Sequence, residues 1–287
     1  MAKIYHISSN FYFVRFILFT QQNFFVSCLS VKYLILYTYP HMYIRPDYHE
    51  EGIYHVYNRG VNRRKIFKKE SDYFDFREIL RYYLIGFPEC KVSDTLHDGL
   101  PIKSSFSIRW RMQNKPVSFT ADPKGNGMFR GFLELLTYCL MPNHFHFLFR
   151  ICKVSDTLQS PISEFMKRIG ITYSHKFNHD YQRVGPLFQG RYKVKELDSD
   201  ELVMHVSRYI HINPTMAGLV NKLESWQWSN INDYFLFPTK TPFSISKPKF
   251  VLELFRYSTS EYRKFVEAQF SNSDSALLRP VAIDSED

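Results

Sequence analysis

From residue 53 onward, apolar and polar positions recur with periods that define local structure. "IYHVYNRG" (53–60) alternates and closes on Asn-Arg-Gly, which predicts a strand running into a turn. "KKESDYFDFREILRYYLIG" (68–86) places Phe74, Ile79 and Tyr83 at helical spacing, with Ser71 as candidate N-cap. Residues 132–151 predict one apolar strand and its approach. "SPISEFMKRIGITYSHKFNHDY" (160–181) predicts a helix capped by Ser160 or Ser163, with Phe165, Ile169, Tyr173 and Phe177 in stripe. "VGPLFQGRYKVKEL" (184–197) reads as extended chain with Arg191, Lys193 and Lys195 on one face. "SDELVMHVSRYIHINP" (199–214) predicts another helix, acidic in its first turn and stopped at Pro214. An aromatic turn region (224–234) and one or two amphipathic helices (248–270) follow, then a polar tail. Residues 87–130 hold four prolines and no sustained period, and read as a long loop or insertion.

The stretch "MPNHFHFLFR" (141–150) raises a chemical question. In an extended strand, side chains two apart share a face, so His144 and His146 stand together while Phe145 and Phe147 point the other way. Such a pair can be two satisfied core residues or two nitrogen ligands, and spacing alone decides neither.

Composition narrows the context. The chain carries 37 Lys+Arg against 28 Asp+Glu, a formal charge of +9, together with 20 Tyr and 27 Phe. Cations that meet phosphates and rings that stack on unpaired bases suit nucleic acid. The four cysteines (28, 90, 139, 152) form no C-x-x-C, so no zinc knuckle or redox motif is predicted, and reduced thiols in a cytoplasmic protein follow. Residues 11–41 are rich in aromatics, but their longest uncharged run, Phe16 to Val31, contains Gln21, Gln22 and Asn23. That falls short of the roughly 20 apolar residues of a spanning helix and lacks a signal-peptide layout, so no membrane partner is expected. "CKVSDTL" occurs at 90–96 and again at 152–158 with unmatched flanks, which reads as duplication of a short DNA element and not as a structural repeat.

On the 199–213 helix, His205, Tyr209 and Asn213 fall at i, i+4 and i+8, one face. Tyr209 is a candidate nucleophile, Asn213 a candidate amide-oxygen ligand, and His205 a candidate proton carrier. The structural alternatives are a packed tyrosine, a C-capping asparagine and a surface histidine.

Four ordered blocks change the balance: "YHVYNRGVNRRKIF" (54–67), "YCLMPNHFHFLF" (138–149), "GPLFQGRYK" (185–193) and "RYIHINPTMAGLV" (208–220). Together they resemble the REP-associated tyrosine transposases, single-tyrosine members of the HUH endonuclease class. The resemblance, spread over most of 43–270, implies an α+β fold: a ferredoxin-like antiparallel sheet, helices packed on one side, the HUH pair on a central strand and the tyrosine on a helix. It implies His144 and His146 as metal ligands, Asn213 as a third, Tyr209 as the catalytic nucleophile, and Mg²⁺ or Mn²⁺ as cofactor. Imidazoles alone would equally suit zinc. Single-stranded DNA with hairpins is the implied partner, cut and joined through a 5′-phosphotyrosine link by a monomer or homodimer. Arg59, Arg63, Arg64, Arg191, Lys193 and Lys195 are candidate phosphate contacts, with a solvated basic surface as their alternative. A hairpin-binding module without catalysis and a phosphodiesterase that uses water remain the competing classes. The expected organisation is an upstream extension at 1–41, a catalytic domain at 42–236 with its insertion at 87–130, and a C-terminal helical segment and tail at 237–287.

Overall fold

A computed structural model describes residues 46–86, 127–154, 160–239, 241 and 244–268. The upstream extension, most of the 87–130 insertion, the first CKVSDTL copy and the polar tail lie outside them. The elements run β1 (Ile53–Arg59), α1 (Glu70–Leu84), β2 (Leu133–Met141), β3 (His144–Ile151), α2 (Pro161–Asp180), β4 (Lys193–Leu197) and α3 (Asp200–Met216). Three short helices follow: α4 (Ile231–Phe235), α5 (Lys249–Glu253) and α6 (Thr259–Glu267). The sheet order is β2-β3-β1-β4 with every neighbouring pair antiparallel, the βαββαβ arrangement of a ferredoxin-like α+β fold.

The stretch predicted as one strand is a hairpin. Pro142 has no N–H to continue a ladder, and with Asn143 it makes the two-residue connection between β2 and β3. The freed carbonyls are used elsewhere: Pro142 O accepts from Ile66 N (2.8 Å) and Phe67 N (3.0 Å), and Asn143 O from Gly60 N (2.8 Å). The segment after β1 is thereby folded back against the hairpin turn. Gly60 is required there, because a Cβ would stand 2.3 Å from Arg64 O.

Alternation along the strands gives the sheet two faces. Tyr54 and Val56 of β1, Phe145, Phe147 and Phe149 of β3, and Leu135, Tyr138 and Leu140 of β2 belong to one buried cluster. Helices α1 and α2 complete it. Phe76 of α1 meets Phe145 (ring centroids 5.4 Å) and Tyr173 of α2 (4.8 Å), and Phe165 of α2 meets Phe149 (5.2 Å). The predicted α2 stripe, Phe165, Ile169, Tyr173 and Phe177, is buried throughout. In α1 the buried stripe is Tyr73, Phe76, Ile79, Leu80 and Tyr83, with Phe74 only partly buried. Its N-cap is Lys69 and not Ser71, because the Asp72 carboxylate accepts from the N–H of Lys68 (2.8 Å) and Lys69 (3.2 Å).

The expectation of helices on one side needs correction. It holds for α1 and α2, but α3 and the C-terminal helices bury the opposite face. Val203, Val206, Ile210 and Ile212 of α3 cluster with Ile53, Leu136, Cys139, Met141 and Leu148 of the sheet and with Val251, Leu252, Tyr262 and Val266 of α5 and α6. The physical reason is that this face is also largely apolar and cannot be left to water. A bulge at Leu136 anchors the layer: Leu136 O accepts from Asn230 Nδ2 (2.9 Å) and Tyr234 Oη (3.1 Å). Helix α3 starts as predicted, with Ser199 Oγ accepting from Leu202 N. It does not stop at Pro214. Ala217 N bonds Asn213 O (2.9 Å) and Leu219 N bonds Pro214 O (2.9 Å), so the proline forfeits one bond and the last turn continues.

Candidate active site

Strand register decides which side chains share the second face. His144 lies opposite Arg59, His146 opposite Tyr57, and Leu148 opposite His55. Across β1, Tyr57 faces Lys193 and His55 faces Lys195. The two histidines of the motif therefore stand on the face that α3 covers, in rows that continue into basic side chains.

His146 is fully buried. Its Nδ1 lies 3.0 Å from His55 Nε2, the rings nearly parallel with centroids 5.2 Å apart. Its Nε2 is buried with no hydrogen-bond partner. His144 turns almost perpendicular to it (centroids 5.0 Å, 87°), with Nδ1 2.7 Å from Asn143 Oδ1. Burial first, and then the neighbouring His144 and His55, hold the His146 imidazole well below its ordinary pKa, so it is neutral near pH 7.

Helix α3 brings Tyr209 onto this pair. The apolar residues on either side of it bury against the sheet, and the Tyr209 ring meets His146 edge-on at 5.4 Å and His55 at 6.4 Å. Asn213 is buried one turn later on the same helix. His205, placed with Tyr209 by helical spacing, has its ring 5.2 Å from Phe265 of α6.

The donor set fits a divalent cation in one respect. A neutral imidazole with an unengaged, buried Nε2 is a poor core residue and a good ligand. Among the described residues, no group of three His, Cys, Asp or Glu converges as metal ligands.

The candidate cations divide. Arg59, Lys193 and Lys195 are on the histidine face. Arg59 Nε bonds Gln189 Oε1 (2.6 Å), which gives the glutamine of the third block a part in fixing that arginine. Arg63 and Arg191 are exposed, and Arg64 is tied through Nε to Val61 O (3.1 Å) in the folded-back segment. Phe188 packs against Phe145 (5.9 Å), and Tyr192 is buried with its hydroxyl 2.8 Å from Ser163 Oγ, so both support the fold beneath the site.

Sequence reasoning missed His55 and Tyr57. The alternation of His55, Tyr57 and Arg59 carried the signal, but the register that sets them against β3 is not local information.

Residues 130–213 match the family model described as "Transposase IS200 like". That segment runs from the approach to β2 through His144, His146 and Tyr209 to Asn213. Over it, the chain is similar to IS200-like transposases. The match contains the blocks at 138–149 and 185–193 and enters the one at 208–220, which bears out the transposase resemblance. Among solved structures, a REP-associated tyrosine transposase bound to a REP hairpin is matched over 72% of this chain and 97% of its own, at 15% identity and a TM-score of 0.42. No curated protein matches the chain. No helix among the described residues is long and apolar enough to cross a membrane.

Proposed function

We propose that the protein is a divalent-metal-dependent, single-stranded DNA endonuclease and strand transferase that works through Tyr209. The observation that carries this reading is the Tyr209 ring seated 5.4 Å from His146, on the face that also holds His144. A tyrosine used only for packing has no need of a buried imidazole pair beneath it. The hairpin-flanked substrate comes from the resemblance of the four sequence blocks.

His144 and His146, with Asn213, would hold the ion, which when bound neutralises charge on the scissile phosphate and orients it. The Tyr209 hydroxyl oxygen attacks phosphorus, the Tyr209 O–P bond forms, and the P–O3′ bond breaks. The proton lost by Tyr209 is balanced by the one gained at the 3′-hydroxyl. The 5′-phosphotyrosine link keeps the bond energy, so a second 3′-hydroxyl can reverse the step and join strands. An extended, unstacked backbone reaches side chains as buried as His146 and Tyr209 more readily than a duplex does. Arg59, Lys193 and Lys195, on the same sheet face as the histidines, would contact the phosphates of such a strand, with Arg63, Arg64 and Arg191 as further candidates.

The test is incubation with labelled single-stranded DNA carrying the hairpins that flank the gene, with Mg²⁺ or Mn²⁺, read on a denaturing gel. A metal-dependent protein–DNA adduct, lost in Tyr209→Phe and in His144→Ala, is the expected result. Cleavage that persists in Tyr209→Phe without an adduct would move the assignment to a phosphodiesterase that uses water. Retained hairpin binding with no cleavage would make it a binding module.

A further inference from the structure

The pair His55–His146 is explained neither by packing nor by the roles assigned above. His55 stands opposite Leu148, two residues along β3 from His146, and reaches diagonally across the two strands. Both side chains have zero exposure, so no solvent competes for the 3.0 Å contact between His55 Nε2 and His146 Nδ1. A nitrogen–nitrogen contact of that length needs one N–H and one lone pair. If His55 donates, the His146 proton sits on Nε2, a buried donor with no partner, which costs about 1–3 kcal/mol. If His146 donates from Nδ1, the buried N–H left over is that of His55 Nδ1, at a similar cost, and His146 Nε2 presents a lone pair that a bound cation can take up. His144 is driven the same way, because Asn143 Oδ1 can only accept and so holds the His144 proton on Nδ1. In that arrangement both imidazoles present Nε2 as the ligating atom.

We infer that His55 is a positioning residue, whose Nε2 accepts from His146 Nδ1 and so holds His146 in the tautomer with its Nε2 lone pair available for a cation. This rests on the reading of His144 and His146 as metal ligands. Histidine ligands commonly donate their second N–H to a carboxylate or backbone carbonyl. A neutral imidazole does the same orienting work without placing a negative charge beside the site that must receive a phosphodiester.

The tautomer is measurable without metal. In the full-length, metal-free protein with ¹⁵N-labelled histidine, two-bond ¹H–¹⁵N correlation should report His146 with a protonated Nδ1 and an unprotonated Nε2, the signals being assigned through His146→Asn. His55→Gln, whose amide oxygen can accept, should keep that tautomer and hold Mn²⁺ affinity within about threefold of the parent. His55→Phe, which cannot accept, should lose the tautomer preference at His146 alone and weaken Mn²⁺ binding by about 10–100-fold. An Nε2–H tautomer at His146 in the parent protein overturns the inference. So does a His55→Phe variant with tautomer and affinity unchanged, or a His55→Gln variant that loses both. Should His55→Phe not fold, the parent and His55→Gln spectra still decide. The expected tautomer together with no DNA adduct would support this role for His55 while refuting strand transfer by Tyr209.

Discussion

The two faces of one four-stranded sheet are built from the same strands but held to different standards. On one, Phe145, Phe147 and Phe149 meet α1 and α2 in a packed aromatic layer. On the other, α3 closes over imidazoles and a tyrosine beside a strip of cations, and its packing is threaded by buried hydrogen bonds. The lesson is that the ordinary hydrophobic effect secures the first face, which frees the second to carry groups that a core would reject.

If that division is right, single substitutions should separate stability from chemistry. The largest expected effect is on the reacting face. Tyr209→Phe should reduce adduct formation by at least about 10⁴-fold, with a denaturation midpoint close to that of the parent. The mirror experiment is Phe147→Ala on the aromatic face, which should cost about 3–5 kcal/mol in urea unfolding. Its residual folded fraction should still form the adduct. Equal loss of stability in both variants would break the comparison.

Acid sharpens it further. His211 is buried on α3 between Tyr262 Oη (2.7 Å) and Asn230 Oδ1 (3.0 Å), and burial pushes its pKa down to about 3. The unfolded chain, with its ordinary imidazole, binds a proton first as pH falls. Stability present above pH 6.5 is therefore lost progressively between about 6.5 and 3, by up to about 4–5 kcal/mol. Thermal melts across that range should show the decline, and His211→Gln should flatten it. Asn230→Ala removes partners from Leu136 O, Tyr138 N and His211 Nε2, and should cost about 3 kcal/mol by equilibrium unfolding. The smallest effect belongs to the rim. Lys193→Ala and Lys195→Ala should leave the melting temperature unchanged. Each removes one candidate phosphate contact, and should reduce the slope of log affinity against log salt by about 0.7 for single-stranded DNA.

Much of this was legible along the chain. Period two separated His144 and His146 from Phe145 and Phe147, and helical spacing set Tyr209 and Asn213 on one helix face. Local signals were weighed wrongly in three places, the first being Ser71, read as the N-cap of α1 where Lys69 stands. Pro142-Asn143 marked a hairpin turn inside an apolar run that read as continuous, and Pro214 read as a stop although the last turn of α3 tolerates it. What lay beyond reach was long-range. Nothing local tells that His55 is paired diagonally with His146, that α3 crosses to the face opposite α1 and α2, or that His205 turns to Phe265. Those placements follow from strand register and from which apolar surface remains to be covered, and both are settled only when the whole sheet assembles.

The extra residue at Leu136 has a consequence of its own. It sits between Leu135, paired with Phe149, and Thr137, paired with Leu148, and it shifts the phase of β2 by one residue midway along the strand. Downstream of it, Cys139 and Met141 meet His146 and His144, and Tyr138 and Leu140 join the aromatic layer. Deleting Leu136 would close the ladder, with Leu135 and Thr137 as neighbours opposite Phe149 and Leu148 and both halves on the faces they now hold. Straightening the bulge with Leu136 kept would instead force a slip: either the N-terminal half of β2 changes sides, or the C-terminal half does and carries Tyr138 onto the imidazoles. One inserted residue thus shifts the reading frame of the strand while each half keeps its faces, and it turns the Leu136 carbonyl to Asn230 and Tyr234.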